Sequence, residues 1–168
     1  MENLRICRIT DHYVRFLHSR DEKVQYNKGV RRPYIGIVFK FGGFMYFAPL
    51  ESPKPNHKKM KAGKHFLRID GGRYGIIGFN NMIPVHKDAL IELDINNEPD
   101  PKYKELLKRQ ISQCNKMKAD ILNHAQMTYF DVAEKKNKFL MSISCDFKKL
   151  ELACKAYKKD FTRSKPNR

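Results

Sequence analysis

Residues 33–50, "PYIGIVFKFGGFMYFAPL", set two runs rich in β-branched and aromatic residues on either side of Gly42-Gly43. Two glycines supply the positive φ angles that a tight hairpin turn demands, so the stretch predicts an antiparallel pair folding back at residues 42 and 43. Counting outward from that turn sets residue 32 opposite about residue 53. Arg32 should then meet Ser52 and Lys54 at one end of the sheet.

Around this hairpin the other elements fall into order. Residues 4–9, "LRICRI", suit a first strand, and Thr10 or Asp11 caps a short helix with Val14 and Leu17 on one face. The polar stretch "SRDEKVQYNKGVRR", 19–32, reads as a long loop. "HFLRIDGGRYGIIGF", 65–79, predicts a second hairpin turning at Asp70–Arg73, with "MIPV" and "ALIELDI" as further extended pieces. That makes about six strands joined mainly by short turns, hence an antiparallel sheet.

Pro99-Asp100-Pro101 then opens a helix capped by Asp100, in which Tyr103, Leu107, Cys114, Met117 and Ile121 recur at helical spacing as core residues. A last helix starts at Asp146, with Phe147, Leu150, Cys154, Tyr157 and Phe161 on one face and lysines on the other, and the terminal "TRSKPNR" is expected to fray. Strands precede helices, which predicts an α+β fold with a mainly helical C-terminal half, in one domain spanning 1–168.

The chain has 168 residues, 34 Lys and Arg against 18 Asp and Glu, and a net charge of +16, so its surface must favour a polyanion. Nucleic acid and an anionic membrane both fit that charge. At 41% hydrophobic residues the chain can fold, yet no run of about 18 apolar residues exists to span a membrane. The N-terminus lacks a leader pattern, so a cytoplasmic protein is expected. Cys7, Cys114, Cys145 and Cys154 form no C-x-x-C pair and the histidines no H-E-x-x-H, which predicts reduced thiols and no metal or cofactor.

Basic residues gather in two loops flanking the hairpin, Lys23–Arg32 and Lys54–His65. A hydroxyl among such cations suits phosphodiester chemistry, because the cations neutralise charge that builds on a phosphorane while polar donors orient the attacking group. In RNA the 2′-hydroxyl is already the nucleophile. Each candidate also has a plainer reading. Ser52 lies between prolines and is at home in a turn, and Lys54, Lys58, Lys59 and Lys61 are at home on a solvated loop. His57 and His65 could form an acid–base pair or be solvated, and Tyr26 could stack a base or donate a hydroxyl. Asn80 and Asn81 could hold a turn or contact base and sugar.

Taken in order, "RPYIGIVF", "YFAPLESPKP" and "FNNMIPV" resemble the ToxN/AbiQ family of type III toxin–antitoxin systems, over residues 23–86 and with a helical second half of the expected kind. The resemblance implies a metal-independent endoribonuclease with no cofactor. It also implies a highly twisted, partly barrel-like antiparallel sheet flanked by helices. The implied partners are substrate RNA and an antitoxin RNA made as tandem repeats, which the toxin cuts into pseudoknot units that inhibit it in a closed multi-copy assembly, away from any membrane. Carried over, the family's essential serine falls on Ser52, its lysine on Lys54, its basic residue before the strand on Arg32 and its loop tyrosine on Tyr26. Lys28, Arg31, His57, Lys58, Lys59, Lys61, Lys64, Asn80 and Asn81 are the expected RNA contacts. Glu51 stands where other members have a small hydroxyl residue. A non-catalytic RNA-binding protein is the competing expectation, and a peripheral membrane domain using residues 146–161 the third.

Overall fold

The computed structural model describes residues 2–61 and 63–163, with side chains as far as Tyr157. Strand β1 (Arg5–Ile9) leads into helix α1 (Asp11–Arg20). The central hairpin is β2 (Tyr34–Phe41) and β3 (Phe44–Glu51), turning at Gly42 and Gly43 with φ of 57° and 84°. Short strands follow: β4 (Phe66–Arg68), β5 (Ile76–Gly78), β6 (Ile83–Pro84) and β7 (Leu90–Glu92). Four further α-helices follow among the described residues, α2 (Pro101–Lys116), α3 (Lys118–Ala133), α4 (Lys138–Ile143) and α5 (Phe147–Arg163).

The seven strands form one antiparallel sheet in the order β4-β5-β3-β2-β1-β7, with β6 also paired to β3. Strand β3 is therefore the branch point. Its Tyr46 and Phe47 face β6, and its Leu50 and Glu51 face β5. Strands β4 and β7 lie at opposite ends of this order, so the sheet is not closed.

The hairpin register differs from the simple count. Near the turn, Phe41 pairs with Phe44 and Phe39 with Tyr46, but farther along Ile35 pairs with Ala48 and Tyr34 with Pro49. Two extra residues thus bulge out of β2 between Ile35 and Phe39. Gly36 lies in that bulge because Phe47 fills its side-chain space: a Cβ there would come within 2.2 Å of the ring. Leu50 N–H donates to the Pro33 carbonyl at 3.0 Å, so the next position, Arg32, falls opposite Glu51 instead of residue 53.

Helices flank the sheet. Helix α3 lays Tyr129 and Phe130 against Phe39, whereas α5 packs Phe147 against Tyr46 and Tyr157 against Tyr13 of α1. Asp100 caps α2 as expected, accepting from the Lys102 and Tyr103 amides, but Thr10 gives α1 no side-chain cap. The long periodic stripe predicted as one helix breaks at Met117, whose φ of −97° and ψ of 13° separate α2 from α3. Leu107, Cys114 and Ile121 are nonetheless all buried, since both helices turn the stripe inward. In α5 the predicted face of Phe147, Leu150, Cys154 and Tyr157 is buried; Phe161 lies beyond the described side chains. Thr162 and Arg163 still belong to α5, and residues 164–168 of the expected frayed end lie outside the described residues. All four cysteines are free and buried. No helix among the described residues is long and apolar enough to cross a membrane.

Candidate active site at the end of the central hairpin

Strand β3 leaves the sheet at Glu51, and the chain then runs through Ser52, Pro53 and Lys54 into a single 3-10 turn, Pro55–Lys58. The prolines fix φ and leave few conformations open to the strand exit. Ser52 and Lys54 are both exposed on it. His57 is not: at 2% exposure its ring is packed inside the loop. Its Nδ1 accepts from the Lys54 amide at 3.1 Å, and its backbone amide donates to the Lys54 carbonyl at 3.0 Å. With Nδ1 accepting this hydrogen bond, the ring's N–H sits on Nε2, which faces Glu51 Oε2 at 3.6 Å. The same Glu51 oxygen lies 4.0 Å from Lys54 Nζ.

Beneath this loop lies the turn joining β4 to β5. Gly75, with φ of +95°, comes so close that an added Cβ would sit 1.8 Å from the Glu51 carbonyl oxygen, and one at Gly72 would sit 2.8 Å from the His57 carbonyl carbon. Arg68 adds a guanidinium contact to the Lys58 carbonyl at 3.3 Å. The rim that carries Ser52 is thereby buttressed from below by backbone.

The opposite wall is the loop before β2. Buried Asn27 anchors it by donating to the Ile9 carbonyl at 2.7 Å, while its own carbonyl accepts the Arg31 and Arg32 amides. Lys28, Gly29 and Val30 carry the bend with positive φ. Arg32 Nε donates to the Tyr26 carbonyl at 2.8 Å, so these two expected site residues are tied together. Tyr26 is 72% exposed, with its ring tilted against His18 at 4.6 Å. Because Arg32 falls opposite Glu51 in the hairpin register, Arg32, Ser52 and Lys54 share one sheet end, with Tyr26 beside Arg32. Lys28 and Arg31 are exposed on the same loop.

The remaining expected RNA contacts divide in two. Lys58, Lys59, Lys61 and Lys64 are exposed along the basic loop. Asn80 and Asn81 are engaged inside the protein. The Asn80 amide donates to the Ile143 carbonyl at 2.9 Å, and the Asn81 amide donates to the Lys23 carbonyl and accepts from Gln25, both at 3.0 Å. Asn81 joins the loop before β2 to the body of the fold, and Asn80 joins that body to the end of α4. His65 is half-buried, and that burial lowers its pKa from the usual imidazole value. Sequence reasoning missed two things here. Gly72 and Gly75 gave only a turn signal, and the exposed Phe139, whose ring lies 6.4 Å from His65, belongs to the short α4 that carried no periodic pattern.

Comparison with known proteins adds to this geometry. Residues 5–155 match the family model described as "Toxin ToxN, type III toxin-antitoxin system". The chain is 32% identical over 166 residues to endoribonuclease ToxN of Bacillus thuringiensis subsp. kurstaki, covering 94% of this chain and 86% of that one. A solved structure concerned with selective toxin inhibition by a non-coding RNA pseudoknot in bacterial type III systems superposes with a TM-score of 0.82 at 32% identity, over 94% of this chain and 99% of that one. AbiQ, a lactococcal anti-phage endoribonuclease of a type III system, superposes with a TM-score of 0.81 at 30% identity over the same shares.

Proposed function

This chain belongs to the ToxN toxin family of type III toxin–antitoxin systems, and from that premise we propose how its hairpin end cleaves RNA. It is an endoribonuclease. The observation that carries the mechanism is the shared position of Arg32, Ser52 and Lys54 at one end of the β2–β3 pair.

In this reading the 2′-oxygen of the substrate ribose attacks the adjacent phosphorus. The P–O5′ bond breaks, the 2′-hydroxyl gives up its proton, and O5′ takes one up, leaving a 2′,3′-cyclic phosphate and a 5′-hydroxyl. Lys54 and Arg32 neutralise the charge that grows on the phosphorane oxygens, a role that needs no metal. Ser52 hydrogen-bonds the 2′-hydroxyl or the scissile phosphate and holds it in line. It does not act as a nucleophile, since both ring nitrogens of His57 are already engaged, with Lys54 and with Glu51. Tyr26, exposed beside Arg32, contributes a hydroxyl or a stacking face to the bound strand.

The +16 charge and the exposed lysines of residues 58–64 hold the RNA that crosses this site. That RNA includes cellular or phage transcripts and the protein's own antitoxin precursor, whose pseudoknot units occupy and inhibit the toxin in a closed multi-copy assembly in the cytoplasm. Antiviral defence by abortive infection follows from release of that inhibition.

Ser52→Ala tests the reading. It should abolish cleavage and toxicity, still bind antitoxin RNA, and the parent should cut equally well in EDTA and leave cyclic-phosphate ends. A Ser52→Ala protein that cuts at the parent rate would overturn this site.

A further inference from the structure

We infer that Glu51 and the buried His57 form a clamp that positions Lys54, and that neither is an RNA contact. The inference rests on the reading of Lys54 as the group that neutralises the reacting phosphate.

A lysine on a surface loop is a poor electrostatic catalyst. Its stem has several rotatable bonds, and the loop beneath it adds backbone freedom, so charge would arrive at the phosphorane only after costly ordering. Lys54 is held against both kinds of motion. Its backbone is gripped twice by one residue, with the amide donating to His57 Nδ1 at 3.1 Å and the carbonyl accepting from the His57 amide at 3.0 Å. Its ammonium lies 4.0 Å from Glu51 Oε2, and His57 Nε2 lies 3.6 Å from that same oxygen on the buried side.

One histidine thus fixes where the lysine starts, and its ring stands beside the carboxylate nearest the lysine's charge. The ring cannot swing away, because it is 2% exposed and the backbone behind it packs against Gly72 so closely that a Cβ there would come within 2.8 Å. Glu51 is held from the other side, its carbonyl lying against Gly75. The His57 ring, sealed in this way, does not reach a 2′-hydroxyl, and the Glu51 carboxylate, partly exposed, is turned toward His57 and Lys54. The rigidity is the contribution: a catalytic charge already aimed costs nothing to reorganise during the reaction.

The test uses the full chain and a labelled transcript of its own antitoxin repeats, reading the single-turnover cleavage rate and the half-saturating protein concentration separately. His57→Ala should slow cleavage by about tenfold to a hundredfold while half-saturation moves less than about twofold, because the phosphate contact survives but its aim does not. His57→Asn keeps an acceptor, Oδ1, where histidine carries Nδ1, and should recover most of the rate. Glu51→Gln keeps an acceptor for Nε2 without the charge that tethers the ammonium, and should fall between parent and His57→Ala.

A parental rate in His57→Ala would overturn the clamp. So would a loss that appears only in half-saturation, or a folded His57→Asn protein as slow as His57→Ala. Thermal melts identify a His57→Ala chain that does not fold. In that event parental rates in both His57→Asn and Glu51→Gln overturn the proposal, and a slowed Glu51→Gln supports it. Failure of the cleavage reading itself looks different, since Ser52→Ala would then cut as the parent does.

Discussion

Tyr46 of β3 donates its phenolic hydroxyl to Glu151 Oε2 of α5 across 2.6 Å, and Tyr129 of α3 donates to the same oxygen across 2.7 Å. One buried carboxylate thereby ties the central hairpin to two helices. Hydrogen bonds to a charged acceptor in such surroundings are strong, and removing one partner from a buried set leaves the others short. Tyr46→Phe should therefore lower unfolding stability by about 2 kcal/mol, and Glu151→Ala, which orphans two phenols and opens a cavity, by about 4 kcal/mol. Urea unfolding followed by far-UV circular dichroism measures both. Below its melting temperature Tyr46→Phe should cut RNA at the parent rate, because the bond lies inside the fold and away from the Arg32–Ser52 end.

Alkaline pH should unfold the protein early. Burial pushes the thiols of Cys7, Cys114 and Cys145 from 9.0 up to about 12, with Arg5 pulling slightly the other way at Cys7. In the unfolded chain these thiols ionise near their ordinary value, so above pH 9 the unfolded state binds fewer protons than the folded one. Stability is thus fully present below pH 9 and is lost as pH rises toward 12, at about 4 kcal/mol per pH unit for the three together. Buried Tyr13, Tyr34 and Tyr46, whose pKa values are raised chiefly by burial, add to the loss from pH 10 upward. Urea midpoints under reducing conditions at pH 8, 9, 10 and 11 should be level at first and then fall steeply. Cys114→Ala should remove roughly a third of the thiol slope.

Much of this fold is legible in the residues, and the gaps have physical causes. Gly42-Gly43 states its turn locally, and Asp100-Pro101 its helix start. The register of the hairpin does not follow from the turn alone. It depends on the Phe47 ring occupying the space beside Gly36, a contact between strands that no single run of residues displays. The break at Met117 is hidden because Leu107, Cys114 and Ile121 keep one helical period through it. At the site, the nearness of Arg32 to Ser52 and Lys54 follows from an antiparallel hairpin of any similar register. The burial of His57 does not, since it is made by the β4–β5 turn lying underneath the loop, and a histidine among lysines looks solvated until that turn is placed.

That turn gives a paired prediction. Gly71 has φ of +63° with nothing within 4 Å of an added Cβ, so Gly71→Ala should cost only about 1 kcal/mol, the left-handed backbone penalty, and leave cleavage intact. Gly75→Ala adds a collision with the Glu51 carbonyl to a φ of +95° and should cost about 3 kcal/mol or more. It should also slow cleavage in molecules that remain folded, because relief of the collision must move Glu51 and the strand exit carrying Ser52. Melting temperature and single-turnover rate, measured on both variants, check the pair. Equal losses in the two would show that the close approach at Gly75 does not govern the site.

The exposed lysines of the basic loop should act through charge alone. Lys58 is held by its carbonyl, which accepts from Arg68, and Lys64 by its carbonyl, which accepts from Thr128 Oγ1 at 3.1 Å. Both bonds use backbone oxygens, so alanine at these positions leaves the loop's anchors in place. Lys59 and Lys61 are likewise exposed. If all four neutralise phosphates of a bound single strand, binding releases a counterion for most of them, and replacing the four with alanine should make the slope of log affinity against log salt shallower by roughly 3. Affinity should fall at low salt and converge on the parent at high salt, while the rate at saturating RNA stays within about twofold, since Arg32, Ser52 and Lys54 are untouched. Filter binding of antitoxin RNA between 50 and about 400 mM salt reads the slope. An unchanged slope would mean that the RNA leaves the Ser52 end along another face, and the exposed Lys28 and Arg31 on the opposite wall are then the next cations to replace.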